Sequence, residues 1–79
     1  MKLSIISLTG IEFDGEATSL NLKTTSGEIT VLDNHRSLLT SLVSGRAVII
    51  KKDGEKLYFD ISSGFLEVGS GNQTTVLTS

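Results

Sequence analysis

The chain has 79 residues and a mass of 8.4 kDa, which is enough for one small domain but not for two lobes with an active-site cleft between them. It contains no cysteine, so disulfides and thiolate metal sites are excluded and a reducing, cytoplasmic setting is expected. The net charge of -2 argues against a general attraction for nucleic acid, and the longest apolar run, residues 47–50, is too short to cross a membrane.

The amino-acid composition favours β-strands over helices. Valine, isoleucine and threonine together account for 21 residues, whereas alanine occurs only twice. β-branched side chains lose rotamer freedom in a helix but pack well on a pleated sheet. In chain order, with glycines marking the turns, the predicted strands cover residues 2–8, 11–13, 17–24, 29–32, 38–42, 46–52, 56–62, 65–68 and 73–77.

Local patterns support this series of strands. Leu3, Ile5 and Leu8 alternate with polar residues in the first strand, apart from a slip near Ile6. The dipeptide Asp53-Gly54, between residues 46–52 and 56–62, is the strongest hairpin signal in the chain. We therefore predict a single all-β domain over residues 1–79, a small two-sheet β-sandwich or flattened barrel of about eight to ten short strands.

The only histidine, His35, lies close to Asp33 and Ser37, which invites comparison with a catalytic triad. A working triad brings its base and its nucleophile together from separated segments, whereas these residues lie in one short loop. A single imidazole without thiolates also falls short of a metal site. We interpret His35 as a loop or interface residue and expect neither a catalytic group nor a metal.

The glycine-rich stretch at residues 69–71 leads into a predicted strand and not into a helix. A phosphate-binding loop needs a helix N-terminus behind it, so we interpret this stretch as a turn. The sequence Asn72-Gln73-Thr74 matches a glycosylation sequon, but nothing in the chain directs export, and we assign it no role. No cofactor is expected.

Lys51 and Lys52 precede the predicted Asp53-Gly54 turn, and small all-β domains can carry a biotinyl or lipoyl group on a hairpin-tip lysine. The methionines that usually flank such a lysine are missing, because Met1 is the sole methionine. Lysines that solubilise an edge are the simpler interpretation. A lysine-modified carrier domain and a generic β-sandwich binding module nevertheless remain alternatives.

Three segments carry a family pattern in the right order and at the right spacings. Residues 27–42 read GEITVLDNHRSLLTSL, residues 63–68 read SGFLEV, and residues 74–77 read TTVL. Together with Gly15-Glu16 near the start, they resemble the N-terminal domain of the ε subunit of F-type ATP synthases. The resemblance covers nearly the whole chain and implies a β-sandwich without chemistry of its own.

The loop around His35 departs from the family pattern. Thr30 stands in place of a glycine, Asp33-Asn34 in place of Pro-Gly, and Arg36-Ser37 in place of Ala-Pro. The turn must then be formed by Asp33 and Asn34, whose side chains bend the backbone through their own hydrogen bonds.

The resemblance implies a non-catalytic subunit of the central stalk that couples rotation of the membrane c-ring to the γ shaft during ATP synthesis. By matching positions, Glu28, Asn34 and His35 resemble residues that face the c-ring or the rotor joint, and Ser7 and Thr40 resemble residues that face γ. The expected location is peripheral, at the cytoplasmic face of the bacterial inner membrane, with no direct insertion and no nucleic-acid partner.

Longer members of the family continue into a helical hairpin that can bind nucleotide and restrain ATP hydrolysis. Because this sequence stops at Ser79, we expect neither nucleotide binding nor inhibition by such a hairpin.

Overall fold

The computed structural model describes residues 1–79 and consists of eight β-strands without a helix. The prediction of an all-β fold with about eight to ten short strands is confirmed. In chain order the strands are β1 (Lys2–Ser7), β2 (Gly10–Thr24), β3 (Gly27–Leu32), β4 (Leu38–Leu42), β5 (Gly45–Lys51), β6 (Lys56–Ile61), β7 (Gly64–Gly69) and β8 (Gln73–Thr78).

The strands form two layers that share β2. In the first layer, the first half of β2 pairs with β1, and the order continues through β8 and β7 to β4. In the second layer, the second half of β2 lies between β3 and β5, and β6 follows β5. A single pair, Thr24 with Leu42, joins β2 to β4, which makes the sandwich a partly closed, flattened barrel. Only β1 and β8 run parallel.

The long strand β2 replaces two strands that the sequence predicted on either side of Gly15. It is continuous over 15 residues and carries two irregularities in register. Next to β1, Ile5 faces Phe13 and Ile6 faces Ile11, so Glu12 is extra. This bulge coincides with the predicted slip near Ile6. The second irregularity lies between Ala17 and Ser19, where β2 leaves β1 and begins to pair with β5. Bulges bend a strand and increase its twist, which allows β2 to pass from one layer to the other at this point.

The core lies between the layers and follows from the alternation of apolar residues along each strand. One cluster holds 14 buried residues: Met1, Leu3, Ile5, Ala17, Leu20, Leu22, Val31, Leu42, Ala47, Ile49, Ile61, Leu66, Val68 and Val76. Leu8 is an exception to the predicted alternation. It follows the end of β1 and is 89% exposed, because the turn into β2 carries it beyond the sandwich.

The predicted hairpin around Asp53-Gly54 is present as β5 and β6. The backbone amide of Lys51 donates to the carbonyl of Glu55 at 2.8 Å, and that of Gly54 donates to the carbonyl of Lys51 at 2.9 Å. Gly54 has φ 91°, so the loop from Lys52 to Gly54 is a type I turn followed by a glycine bulge. The Lys51 ammonium contacts the Glu55 carboxylate at 3.1 Å, and this hydrogen bond raises the pKa of Lys51.

Candidate interaction site

The loop that carries His35 begins with a tight turn. The backbone amide of His35 donates to the carbonyl of Leu32 at 3.2 Å, and Asn34 has φ 60°. A positive φ at the third residue of such a turn defines type II, where asparagine is the main substitute for glycine. Asp33 and Asn34 therefore form the turn, as the sequence predicted.

Asn72, which follows β7, braces this turn from the neighbouring loop. Its side-chain oxygen accepts a hydrogen bond from the backbone amide of Asn34 at 2.8 Å, and its side-chain nitrogen donates to the Asp33 carboxylate at 3.4 Å. Its carbonyl also accepts from the backbone amide of Lys2 at 3.0 Å. The sequence analysis did not identify this role of Asn72. The only signal in the sequence was the residue type, since asparagine tolerates a positive φ and Asn72, which follows Gly71, has φ 60°.

The Asp33 carboxylate has a second partner in the N-terminal ammonium of Met1, with which it forms an ion pair. The same ammonium donates to the carbonyl of Ala17 at 2.8 Å. The hydrogen bond from the ammonium, followed by that from Asn72, lowers the pKa of Asp33. The charged form of Asp33 is thereby favoured, and the turn is anchored to the starts of two strands in the first layer.

His35 is half-buried, and its Nδ1 donates to the backbone carbonyl of Arg36 at 2.8 Å. No hydrogen bond joins it to Asp33 or to Ser37, so the side chains do not form a catalytic triad. The structure also contains no group of three side chains of the types that bind metals, and it has no helix that could serve as a membrane span.

Glu28 lies at the opposite end of β3 from this turn. A rise of about 3.3 Å per residue separates Glu28 from Leu32 by about 13 Å. The side chain of Asn21 on β2 donates to the Glu28 carboxylate at 3.2 Å and to the Thr30 hydroxyl at 2.9 Å. The structure thus brings Asn34 and His35 together but leaves Glu28 at a separate point along the same edge strand.

Ser7 and Thr40 lie in the first layer but not side by side. Ser7 ends β1 and shares a hydrogen bond of 2.9 Å with the Thr9 hydroxyl. Thr40 on β4 pairs with the buried Leu66, so its half-buried side chain lies on the inner face of the sheet. Three strand spacings, about 14 Å in total, separate β1 from β4.

A row of apolar side chains crosses the outer face of the first layer. In the strand register, Ile11 faces Ile6, Ile6 faces Leu77, and Leu77 faces Phe65. Directly paired residues project from the same face of a sheet, so these four side chains are neighbours. They are 67%, 36%, 48% and 55% exposed, respectively. Sequence analysis assigned them no role, because they meet only through the pairing of four strands.

This apolar row is a contiguous exposed surface that the fold itself leaves without a partner. Leu39 on β4 lies on the same outer face and is 71% exposed. It pairs with Glu67, which lies two residues along β7 from Phe65. Contiguous exposed apolar surface, in contrast to single exposed residues, marks sites of association. The arrangement offers a binding partner one apolar face and one braced polar turn.

Comparison with known proteins identifies the family of the domain. The family model described as the β-sandwich domain of the ATP synthase delta/epsilon chain matches residues 1–79. An ATP synthase epsilon chain of Clostridium novyi is 39% identical over 69 residues, which is 87% of this chain and 53% of the relative. That of Endomicrobium trichonymphae is 40% identical over 75 residues, covering 95% of this chain and 54% of the relative.

Solved structures show the same fold at lower sequence identity. A chain of the Euglena gracilis mitochondrial ATP synthase superposes with a TM-score of 0.92 at 23% identity, over 99% of this chain and 49% of that one. A chain from the central stalk and c-ring structure of the Tetrahymena thermophila enzyme gives 0.83 at 15% identity, over 99% and 62%. The chain spans about half the length of the curated relatives that it matches. The match over residues 1–79 establishes that the chain belongs to the ATP synthase delta/epsilon chain family, as its β-sandwich domain.

Proposed function

We propose that this single domain is the non-catalytic, rotor-attached part of an F-type ATP synthase central stalk and couples rotation of the c-ring to the γ shaft. The observation that carries the proposal is the exposed apolar row of Ile6, Ile11, Phe65 and Leu77. Family membership and the names of the relatives support it. No observation favours the lysine-modified carrier or the generic binding module.

The apolar row is the proposed docking surface for γ. A stable interface needs an apolar centre surrounded by polar groups, and the row fits because polar residues of the same strands surround it. Ser41 directly faces Phe65, and Glu67 lies on the same face two residues farther along β7. Ser7 and Thr40 remain proposed γ-facing residues outside the row, since Ser7 ends β1 next to Ile6 and Thr40 lies on the inner face of β4.

The braced turn at Asp33 and Asn34, with His35 and with Glu28 farther along β3, is the proposed contact with the c-ring. Apart from Leu32, which is 56% exposed, this surface consists of polar and charged groups, which fix orientation and register more than they add affinity. The domain would then grip γ with one layer and the ring with the turn and the β3 edge. Its location is accordingly peripheral, at the cytoplasmic face of a bacterial inner membrane, with no nucleotide bound by the 69–71 turn.

The first test changes the apolar row. Phe65→Ser removes the largest side chain of the row, and we expect binding to γ to weaken by about tenfold or more, since buried aromatic anchors dominate interface energies. The measurement is capture of this subunit by tagged γ over a concentration series. Tyr58→Ser, at a residue that is 56% exposed on the second layer, is the matched control and should bind normally. Equal binding of the two variants would refute the assignment of the row.

The second test changes Glu28. Glu28→Lys reverses the charge at an exposed position whose only hydrogen-bond partner in the structure is Asn21. We expect attachment to the c-ring to weaken by about tenfold, while the free energy of unfolding falls by no more than about 1 kcal/mol, because the new lysine faces Lys23 on β2. Pull-down of the assembled rotor measures the first quantity and urea unfolding the second. Undiminished rotor assembly would count against this contact.

A further inference from the structure

Strand β6 is an unpaired edge of the second layer, because its only neighbour is β5. In an antiparallel pair, successive residues alternate between those that bond to the partner strand and those whose backbone groups point away from it. The hydrogen bond from the Lys51 amide to the Glu55 carbonyl shows that Glu55 is one of the residues that bond to β5, and every second residue after it does the same. Leu57 and Phe59 therefore bond to β5, and the backbone groups of Lys56, Tyr58 and Asp60 point to the free edge.

The side chains along this edge are self-complementary. Lys56 and Asp60 lie at equal distances on either side of Tyr58, and all three side chains are exposed on the outer face. When two such strands run antiparallel about a two-fold axis at Tyr58, Lys56 of each copy faces Asp60 of the other. The free backbone N–H and C=O groups of Lys56, Tyr58 and Asp60 then lie opposite those of the second copy, where they can form antiparallel hydrogen bonds.

We propose that two copies of the chain associate through their β6 edges in this antiparallel, two-fold arrangement. The tyrosines at the axis then form a cross-strand aromatic pair, and each Lys56 forms an ion pair with Asp60 of the second copy. On the inner face, Leu57 lies opposite Phe59 of the second copy. Both side chains are only partly buried against the core of one chain, so pairing buries more of their apolar surface.

The other free edge of the same layer, β3, lacks this property. Its only charged residue is Glu28, so two β3 edges would bring no opposite charges together. A lysine on an edge strand usually discourages pairing with other chains. On β6, however, the symmetric placement of Asp60 turns the charge of Lys56 into an attraction that is specific for a second copy.

This association is independent of the proposed function in the rotor. β6 belongs to the second layer, whereas the apolar row lies on the outer face of the first layer. A six-residue edge buries less surface than a standard interface, so we expect a weak, reversible dimer. Sedimentation velocity at protein concentrations up to about 1 mM can detect such a weak dimer.

The test uses charge reversal on the protein alone. Lys56→Asp and Asp60→Lys each place like charges opposite one another at both symmetric pairs, and each should weaken dimerisation by about tenfold. An equimolar mixture of the two variants restores opposite charges at both positions and should dimerise again. The double variant Lys56→Asp/Asp60→Lys should also regain the wild-type affinity. Lys52→Asp, in the exposed loop before β6, is the control and should dimerise as the wild type does.

Sedimentation of a monomer at about 1 mM wild-type protein would overturn the proposal. So would single variants that dimerise normally, or variants that lose dimerisation without recovery in the mixture. Circular dichroism of each variant establishes that it is folded before its sedimentation is compared. Because none of these substitutions lies in the apolar row, failure here leaves the γ-binding test unaffected.

Discussion

At the scale of single residues, the turn at Asp33 and Asn34 shows what local sequence specifies and what it does not. Both residues are typical of turns, and the type II geometry with φ 60° at Asn34 agrees with that preference. The brace from Asn72 could not be predicted, because the hydrogen bond to the Asn34 amide joins residues 38 positions apart. A local pattern contains no information about such a contact.

Substitution of Asn72 should separate its backbone role from its side-chain role. Asn72→Gly keeps the positive φ but loses the hydrogen bonds to the turn, and we expect a loss of about 1 kcal/mol in the free energy of unfolding. Asn72→Ala loses the same bonds and also strains the backbone, so a loss of about 2 kcal/mol is expected. Urea unfolding of both variants provides the measurement. A smaller loss for alanine than for glycine would contradict this account.

At the scale of elements, β2 is where the prediction and the structure differ most. The sequence predicts two strands, residues 11–13 and 17–24, because its glycines are taken to mark turns. In the structure, the backbone runs through Gly15, which pairs with Leu3 on β1. Residues of four other strands pair with β2. It is one continuous strand because these partners follow one another along its length. The hairpin of β5 and β6, by contrast, depends on adjacent residues and was predicted correctly.

The start of β7 depends on a close approach that only glycine permits. A Cβ atom at Gly64 would lie 2.0 Å from the backbone carbonyl oxygen of Leu77, and Gly64 has φ 155°. Gly64→Ala should therefore reduce the free energy of unfolding by about 3 kcal/mol, since neither backbone can move without disrupting the pair.

Gly69, at the other end of β7, provides the matched control for Gly64. Its Cβ would meet only the Gln73 carbonyl oxygen at 3.7 Å, which is ordinary contact. Gly69→Ala should change the free energy of unfolding by less than about 0.5 kcal/mol. Similar losses for both variants in thermal or urea unfolding would show that the contact with Leu77 does not set the requirement.

At the scale of the whole molecule, composition predicted the fold class, because an excess of β-branched residues and regularly spaced glycines is a global property. It could not predict the apolar row, whose members are spread between Ile6 and Leu77. Phe65 and Leu66 illustrate the difficulty, since they are adjacent on β7 and differ in exposure from 55% to 0%. Only the register of β7 decides which of the two reaches the core and which remains available for a partner.

The topology and the absence of proline together predict the folding kinetics. β1 and β8 pair although they lie at opposite ends of the sequence, and such long-range pairing slows folding to milliseconds or seconds. The chain contains no proline, so no phase with a time constant of about 10–100 s from proline isomerisation is expected. Stopped-flow refolding with a double-jump control measures both. A slow phase that a prolyl isomerase accelerates would contradict the prediction.

Strand β2 has a mechanical consequence, because its backbone belongs to both sheets. Two sheets held only by side-chain packing can slide over each other under shear. Here a displacement of one sheet would have to rotate the backbone dihedrals of β2 around Ala17 and break the hydrogen bonds that hold the strand on either side. In the proposed rotor role, a load applied at the apolar row would therefore reach the edge at β3 through a continuous peptide chain, and the domain would respond as a stiff coupling.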